Sequence, residues 1–123
     1  MKAQLLISVV DDDQSVRESL PELLKELGFT ARAFSSAMEF LASDAPLQSS
    51  CVILDVAMPM MSGPELFREL RNRNLKIPVV FITARKDEVV RTRLLGDGAV
   101  GCLFKPFSDT ALLQALNEAV GEE

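Results

Sequence analysis

The stretch CVILDVAMP, residues 51–59, decides the fold, because a continuous apolar run there ends in a single carboxylate, Asp55. Apolar runs of this length are typical of strands that are buried on both faces of a parallel sheet. Pro59 cannot continue such a strand, so the strand must end close to Asp55. Burying a carboxylate charge is costly unless another group pairs with it. The sequence therefore predicts that other chemically active groups converge on Asp55.

The length and composition predict one globular domain over residues 1–123. With 48% hydrophobic and 25% charged residues, the composition is that of an ordinary globular protein. The net charge of −5 disfavours direct nucleic-acid binding by this segment. The apolar runs are too short to cross a membrane, and residues 1–4 lack the features of a signal peptide. We therefore expect a cytoplasmic protein without a membrane partner.

The histidine and cysteine content narrows the chemistry further. The chain contains no histidine, which excludes Ser-His-Asp triads, histidine-based zinc sites and imidazole acid–base chemistry. Cys51 and Cys102 each lie in an apolar run, which favours two buried free thiols over a disulfide. Any bound metal ion should therefore be a hard cation held by oxygen atoms.

The rest of the chain alternates between short apolar runs and amphipathic segments. The predicted strands cover residues 5–10, 30–34, 51–55, 79–83 and 100–104. The predicted helices cover about 14–27, 36–42, 64–72, 87–95 and 109–120, and the segment around Pro46 is predicted to be a loop. Five strand–helix pairs with short connections predict an α/β fold, a doubly wound five-stranded parallel sheet with five helices.

Polar side chains lie where four of the five predicted strands end. They are, in chain order, Asp11 and Asp12, then Asp55, then Thr83, then Lys105. Ligands of doubly wound sheets bind at the carboxyl ends of the strands, near the point where the strand order reverses. We therefore predict that these residues form a functional site at this edge of the sheet.

The residue types in this set suit phosphoryl chemistry with a magnesium ion. If the first and third strands are neighbours, their carboxylates repel one another, and a raised pKa or a bound cation relieves the repulsion. Carboxylate and carbonyl oxygens are ligands that Mg²⁺ accepts. A carboxylate beside such an ion can attack phosphorus and form an aspartyl phosphate. Lys105 can then supply a positive charge and Thr83 a hydroxyl donor to the transferred group.

Each of these residues also has a simpler structural explanation. Residues 11–13 can form a solvated turn with a helix cap, Thr83 can be a β-former, and Lys105 a surface charge before a proline turn. Taken singly, these explanations are the more frequent ones. Taken together, they leave unexplained why complementary groups fall at the same edge of the sheet, and the functional interpretation is favoured.

Four motifs resemble those of receiver domains from two-component response regulators. They are VVDDD at 9–13, DVAMP at 55–59 with Gly63, ITA at 82–84 and KPF at 105–107. Their order and spacing are similar to the family from end to end. The patterns Asp-x-x-Met-Pro…Ser-Gly and Gly-Ala-Val-x-x-x-x-Lys-Pro-Phe look closest to the FixJ-type branch. The resemblance implies a flavodoxin-like sheet with strand order 2-1-3-4-5.

The resemblance also implies a role for each acidic residue. Asp55 matches the phosphoacceptor, which takes a phosphoryl group from a sensor histidine kinase in a Mg²⁺-dependent reaction. Asp12 matches the direct Mg²⁺ ligand, and Asp11 matches the acidic partner that acts through water. The backbone carbonyl of Ala57 matches the third protein contact of the ion.

The remaining roles implied by the resemblance concern switching. Thr83 matches the switch hydroxyl, and Lys105 matches the charge partner of the phosphoryl group. Phosphorylation would switch the surface of helix 4, strand 5 and helix 5, through which a homodimer is also compatible with the family. The expected function is phosphorelay signalling rather than enzymatic turnover, with control of an output such as transcription by a domain absent from this chain.

One position departs from the family pattern and keeps an alternative open. The family's switch aromatic falls at Cys102, and Phe104 stands on the same side of the strand next to the lysine. The alternative is a receiver-like interaction module with phosphate-independent or atypical switching. A phosphatase is disfavoured because Ala57 stands where a second acid is expected. A flavodoxin-like electron carrier is disfavoured because the acidic residues 11–13 would repel a phosphate.

Overall fold

The computed structural model describes residues 5–121, so the expectation about a signal peptide in residues 1–4 lies outside the described residues. The strands are β1 Leu6–Val10, β2 Thr30–Phe34, β3 Cys51–Asp55, β4 Val79–Thr83 and β5 Gly101–Phe104. The helices are α1 Gln14–Glu26, α2 Ala37–Leu41, α3 Ala45–Gln48, α4 Gly63–Asn72, α5 Glu88–Gly96 and α6 Asp109–Val120. Helices and strands alternate, except that two helices, α2 and α3, lie between β2 and β3.

The five strands form one parallel sheet in the order β2-β1-β3-β4-β5, which confirms the predicted fold class and strand order. β3 lies at the centre, and all five of its residues are buried. The order reverses beside β1, whose neighbours are β2 and β3. The predicted binding edge therefore lies where β1 and β3 end.

The alternating side chains of the strands build one hydrophobic core on each face of the sheet. On one face, Val52, Leu54 and Phe81 pack with residues from α2 to α5. On the other face, Ile53 and Ile82 pack with residues from α1 and α6. Because both faces are covered, the central strands need apolar residues on both sides, which is why their sequence shows no polar alternation.

The predicted number of helices was wrong, since the described residues 5–121 contain six helices rather than five. The additional helix is α3, in the segment that we predicted to be a loop. Ala45 and Pro46 are buried, and the Ser49 hydroxyl donates a hydrogen bond to the Ala45 carbonyl at 2.7 Å. Four residues are too few to show a helical period, so tertiary packing decides this element. The limits of the other helices differ from the prediction by at most one residue.

The structure also bears on the cysteines and on membrane-spanning helices. Both cysteines are free and buried, as predicted, and burial raises the pKa of the Cys51 thiol to about 12. Within residues 5–121, no helix has the length and apolar character that crossing a membrane requires.

Candidate functional site

The carboxyl-terminal edge of the sheet gathers the side chains that the sequence singles out. Asp11 directly follows β1, Asp55 is the last residue of β3, and Thr83 is the last residue of β4. Lys105 directly follows β5. Because the strands are parallel and β3 lies between β1 and β4, these residues meet at one place.

Asp11 is fully buried and has specific partners for both carboxylate oxygens. The Oδ1 atom accepts a hydrogen bond from the Asp13 amide at 2.9 Å, and Oδ2 accepts one from Lys105 Nζ at 2.9 Å. The Asp11 amide donates to the Phe34 carbonyl at 3.1 Å, which ties the end of β1 to β2. These bonds hold a buried charge in a defined position, which is the condition for keeping it in the fold.

Asp55 is the centre of a cluster of three carboxylates. Oxygen atoms of Asp11, Asp12 and Asp55 lie within 4.8 Å of one another, and Asp55 is only 7% exposed. Burial, followed by the charge of Asp11, raises the pKa of Asp55 to about 7, and the nearby Lys105 partly opposes this. Asp55 is therefore a carboxylate that gains from any additional positive charge nearby.

Lys105 is the cation of the site. Its Nζ atom lies 2.9 Å from Asp11 Oδ2 and 3.7 Å from Asp55 Oδ1. Burial opposes its charge, but the hydrogen bond to Asp11 and the charge of Asp55 outweigh burial and raise the pKa of Lys105. One ammonium faces three carboxylates, so the cluster retains an excess of negative charge.

Thr83 is the last residue of β4, the strand that lies between β3 and β5. Its side chain is buried, and its Oγ1 atom accepts a hydrogen bond from the Arg85 amide at 3.1 Å. The amide of Lys105 donates to the Thr83 carbonyl at 2.8 Å, which joins the ends of β4 and β5. Ala57, the remaining predicted site residue, is exposed in the loop between β3 and α4.

The start of α4 lies directly against the backbone of Asp55. The Gly63 amide donates to the Val56 carbonyl at 2.9 Å, and a Cβ atom at position 63 would clash with the Asp55 carbonyl oxygen. Only glycine allows this approach. Ser62 caps the helix in a complete capping box with Glu65, which fixes the end of the loop.

Sequence reasoning missed three residues that shape the site, namely Ser62, Glu65 and Arg17. The pattern Ser62-x-x-Glu65 is a capping box, a signal in the sequence that places the start of this helix at residue 63. Arg17 donates from its NH1 atom to the Asp11 carbonyl at 3.0 Å and steadies the loop between β1 and α1. A single arginine on a predicted helix carries no signal for such a contact.

The residues present fit a magnesium ion. The acidic cluster offers hard oxygen ligands with a net negative charge, and the raised pKa of Asp55 shows that added positive charge would be favourable there. Asp11, Asp12 and Asp55 are the side chains that could hold the ion.

The fold and the site together define a doubly wound α/β domain with an acidic centre at its topological switch point. The family model described as "Response regulator receiver domain" matches residues 7–117. The chain therefore belongs to the receiver-domain family of response regulators. Such domains are two-component signalling modules rather than classical enzymes, and sensor histidine kinases phosphorylate them.

Individual relatives agree with this assignment. Nodulation protein W of Bradyrhizobium diazoefficiens is 42% identical over 90% of this chain and 49% of that protein. The transcriptional regulatory protein FixJ of Azorhizobium caulinodans is 37% identical over 98% of this chain and 57% of that protein. The chain thus spans about half the length of the curated relatives that it matches.

Solved structures show the same fold. The crystal structure of FixJ-N superposes with a TM-score of 0.87 at 34% identity, covering 99% of this chain and 98% of that one. The chemotaxis protein CheY4 of Vibrio cholerae superposes with a TM-score of 0.84 at 27% identity, covering 95% of this chain and 99% of that one. The predicted resemblance to receiver domains, and to FixJ among them, is confirmed.

Proposed function

We propose that the chain, over residues 1–123, is one receiver domain in which Asp55 accepts a phosphoryl group from the phosphohistidine of a sensor histidine kinase. An oxygen of Asp55 attacks phosphorus, the new P–O bond forms, and the P–N bond to the histidine breaks. The imidazole leaves and takes up a proton from solvent. The observation that carries this proposal is the position of Asp55, a buried strand-end carboxylate between Lys105, Thr83 and two further acids.

Asp55 must be deprotonated to act as the nucleophile. Its pKa of about 7 means that a substantial fraction is protonated near neutral pH without a further cation. Lys105, 3.7 Å away, already favours the charged form. We infer that Asp12 holds Mg²⁺ directly, that Asp11 acts through water, and that Asp55 and the Ala57 carbonyl complete the protein contacts. The bound ion would neutralise negative charge on the reacting oxygens.

Lys105 and Thr83 serve the transferred group. The ammonium of Lys105 is held by Asp11 and can move toward a phosphoryl oxygen on Asp55 over a short distance. The Thr83 hydroxyl uses its oxygen as an acceptor for the Arg85 amide, so its own hydrogen remains available for donation to a phosphoryl oxygen. Positive charge and a donor placed in advance are the main means of stabilising phosphoryl transfer.

Phosphorylation should act on a partner through one surface of the molecule. We infer that the surface formed by α5, β5 and α6 changes on phosphorylation and regulates an output. These elements correspond to helix 4, strand 5 and helix 5 of the sequence analysis. A second copy of the chain could also bind at this surface. Several relatives are named as transcriptional regulators, among them FixJ and TdiR, and we extend this to the present protein as a proposal. A cytoplasmic location follows from a kinase partner of this type.

Replacing Asp55 tests the proposal directly. With Mg²⁺ and a small phosphodonor such as acetyl phosphate, the wild-type protein should gain one phosphoryl group, measured by intact mass. Asp55→Asn should gain none, because the amide nitrogen and oxygen are poor nucleophiles. Omission of Mg²⁺, or Asp12→Asn, should reduce the rate strongly. Labelling of Asp55→Asn equal to that of the wild type would overturn the proposal.

A phosphate-independent interaction module remains the second candidate because Cys102, at the position of the usual aromatic, is small and buried. Beryllofluoride with Mg²⁺ mimics the phosphorylated state and distinguishes the two. Partner affinity or amide NMR shifts that respond to beryllofluoride support the switch. An unchanged spectrum in a protein that phosphorylates normally supports the module.

A further inference from the structure

An unbroken series of hydrogen bonds joins Thr83 to the first turn of α5. Thr83 Oγ1 accepts from the Arg85 amide, and the Arg85 carbonyl accepts from the Asp87 amide at 3.0 Å. The Asp87 carboxylate then caps α5 by accepting from the amides of Val89 and Val90 at 3.0 and 3.2 Å. Thr83 is therefore bonded directly to the segment that leads into α5, so a movement of its hydroxyl removes one of the hydrogen bonds of that segment.

A second connection returns from α5 to the same place. Arg91, one turn into α5, lies with its guanidinium 5.6 Å from the centroid of the Phe104 ring. Phe104 is the register partner of Thr83 on the neighbouring strand, so the two side chains point to the same face of the sheet. The next residue, Lys105, donates its amide to the Thr83 carbonyl. Thr83 is thus connected to α5 in two ways, through the segment of Arg85 and Asp87 and through the contact of Arg91 with Phe104.

The Arg91 side chain is held by weak contacts and has space beside it. Its pairing with Glu88, at 3.4 Å, is exposed, and its Nε atom is buried without a hydrogen-bond partner among the described residues. A cleft of about 250 Å³ adjoins it, with Cys102 and Ala115 in its lining. An unpaired buried donor next to open space marks a side chain that can improve its bonding in another position.

The side chain of Cys102, which stands at the position of the family's switch aromatic, is poorly suited to respond to a movement of Thr83. It is 4% exposed and packs in the core between α5 and the sheet. Its thiol is small and a weak hydrogen-bond donor, so a displacement of Thr83 changes little at this position.

We propose that the Arg91–Phe104 pair, rather than the side chain of Cys102, senses the position of Thr83 and holds α5 in the orientation seen here. This inference rests on the proposed function, because the phosphoryl group on Asp55 is what draws the Thr83 hydroxyl away from Arg85. When that bond breaks, the start of α5 is freed and Arg91 leaves the Phe104 ring for the adjoining cleft.

Amide NMR spectra of the full chain test the inference, with beryllofluoride and Mg²⁺ as the phosphoryl mimic. The variants are Arg91→Ala and Phe104→Leu, and the controls are Arg93→Ala, an exposed arginine on the same helix, and Cys102→Ala. Without the mimic, the α5 amides of the two variants should already lie partway to their bound positions. The equilibrium should shift by about two- to fivefold, as expected for loss of one partly exposed cation–π contact.

The outcomes separate this inference from the proposed function. Both controls should show wild-type α5 positions before and after addition of the mimic, and every variant should still gain one phosphoryl group, at Asp55. If Arg91→Ala matches Arg93→Ala, or if Cys102→Ala alone shifts the α5 amides, the inference is overturned. If the wild-type protein does not respond at Asp55 at all, the proposed function fails instead. Should Phe104→Leu not fold, Arg91→Ala at the surface decides the result.

Discussion

The unit of β3 and α4 and the unit of α5 and β5 are built differently, although both border the same site. Every residue of β3 is buried, and α4 buries Gly63, Leu66, Phe67 and Leu70 against the sheet. In α5 only Leu94 is buried, and in β5 only Cys102.

This difference in burial indicates that the two units have different roles. A strand buried on both faces, followed by a helix anchored through four buried residues, holds Asp55 in a fixed position, which phosphoryl chemistry requires. A helix attached through one buried leucine and surface contacts costs little to move, which a switching surface requires. The site thus stands where a rigid part of the core meets a loosely held one.

Truncating one buried leucine in each unit should reveal the contrast most strongly. Leu66→Ala removes a fully buried side chain from α4 and should lower the free energy of unfolding by about 3–5 kcal/mol. Leu94→Ala in α5 should cost about 2–3 kcal/mol, because a loosely attached helix can close the cavity. Urea unfolding followed by circular dichroism measures both. Equal losses would contradict the proposed difference in rigidity.

The buried carboxylate of the rigid unit should make stability depend on pH. The pKa of Asp55 is raised from 3.8 to about 7 in the folded protein, so the folded state binds the proton more tightly than the unfolded state. The stabilisation that comes from the tightly bound proton of Asp55 is therefore fully present below pH 4, and it is lost as the pH rises through about 7. Without divalent ions, Asp55→Asn should be more stable than the wild type by about 4 kcal/mol at pH 8, because the pKa shift of about 3 units corresponds to about 1.4 kcal/mol per unit.

The same pair of proteins provides the control for this prediction. At pH 4 the advantage of Asp55→Asn should nearly vanish, because the wild-type carboxyl is protonated in the folded state. Saturating Mg²⁺ should stabilise the wild type selectively and narrow the gap at pH 8. A gap that is independent of pH would show that Asp55 is not the group responsible.

Removing the helix caps should give the smallest effect and the sharpest local contrast. Ser62→Ala breaks the capping box of α4, and Asp87→Ala removes two hydrogen bonds at the start of α5. Each should cost its helix about 1 kcal/mol. In α4 the loss should appear in global unfolding, whereas in α5 it should appear mainly as faster amide exchange of the helix. Hydrogen exchange read by mass spectrometry distinguishes the two, and identical patterns would argue against separate opening of α5.

Much of this protein could be predicted from local sequence signals. Apolar runs predicted β1, β3, β4 and β5, and alternation of polar and apolar residues predicted the edge strand β2. The strand-end positions of Asp11, Asp55 and Thr83 followed from these limits, since parallel strands all end at one edge. The resemblance to receiver domains added the strand order.

Other features depended on contacts between distant segments. The short helix α3 exists because the surrounding core buries Ala45 and Pro46, and four residues leave no periodic pattern. The pKa of Asp55 depends on the burial and neighbouring charges that only the assembled sheet provides. The contact of Arg91 with Phe104 joins a helix to a strand across a loop of the chain. The sequence alone determined which residues reach the carboxyl edge of the sheet, because strand limits are local, whereas tertiary structure decided their distances and charges, because those depend on packing between segments far apart in the chain.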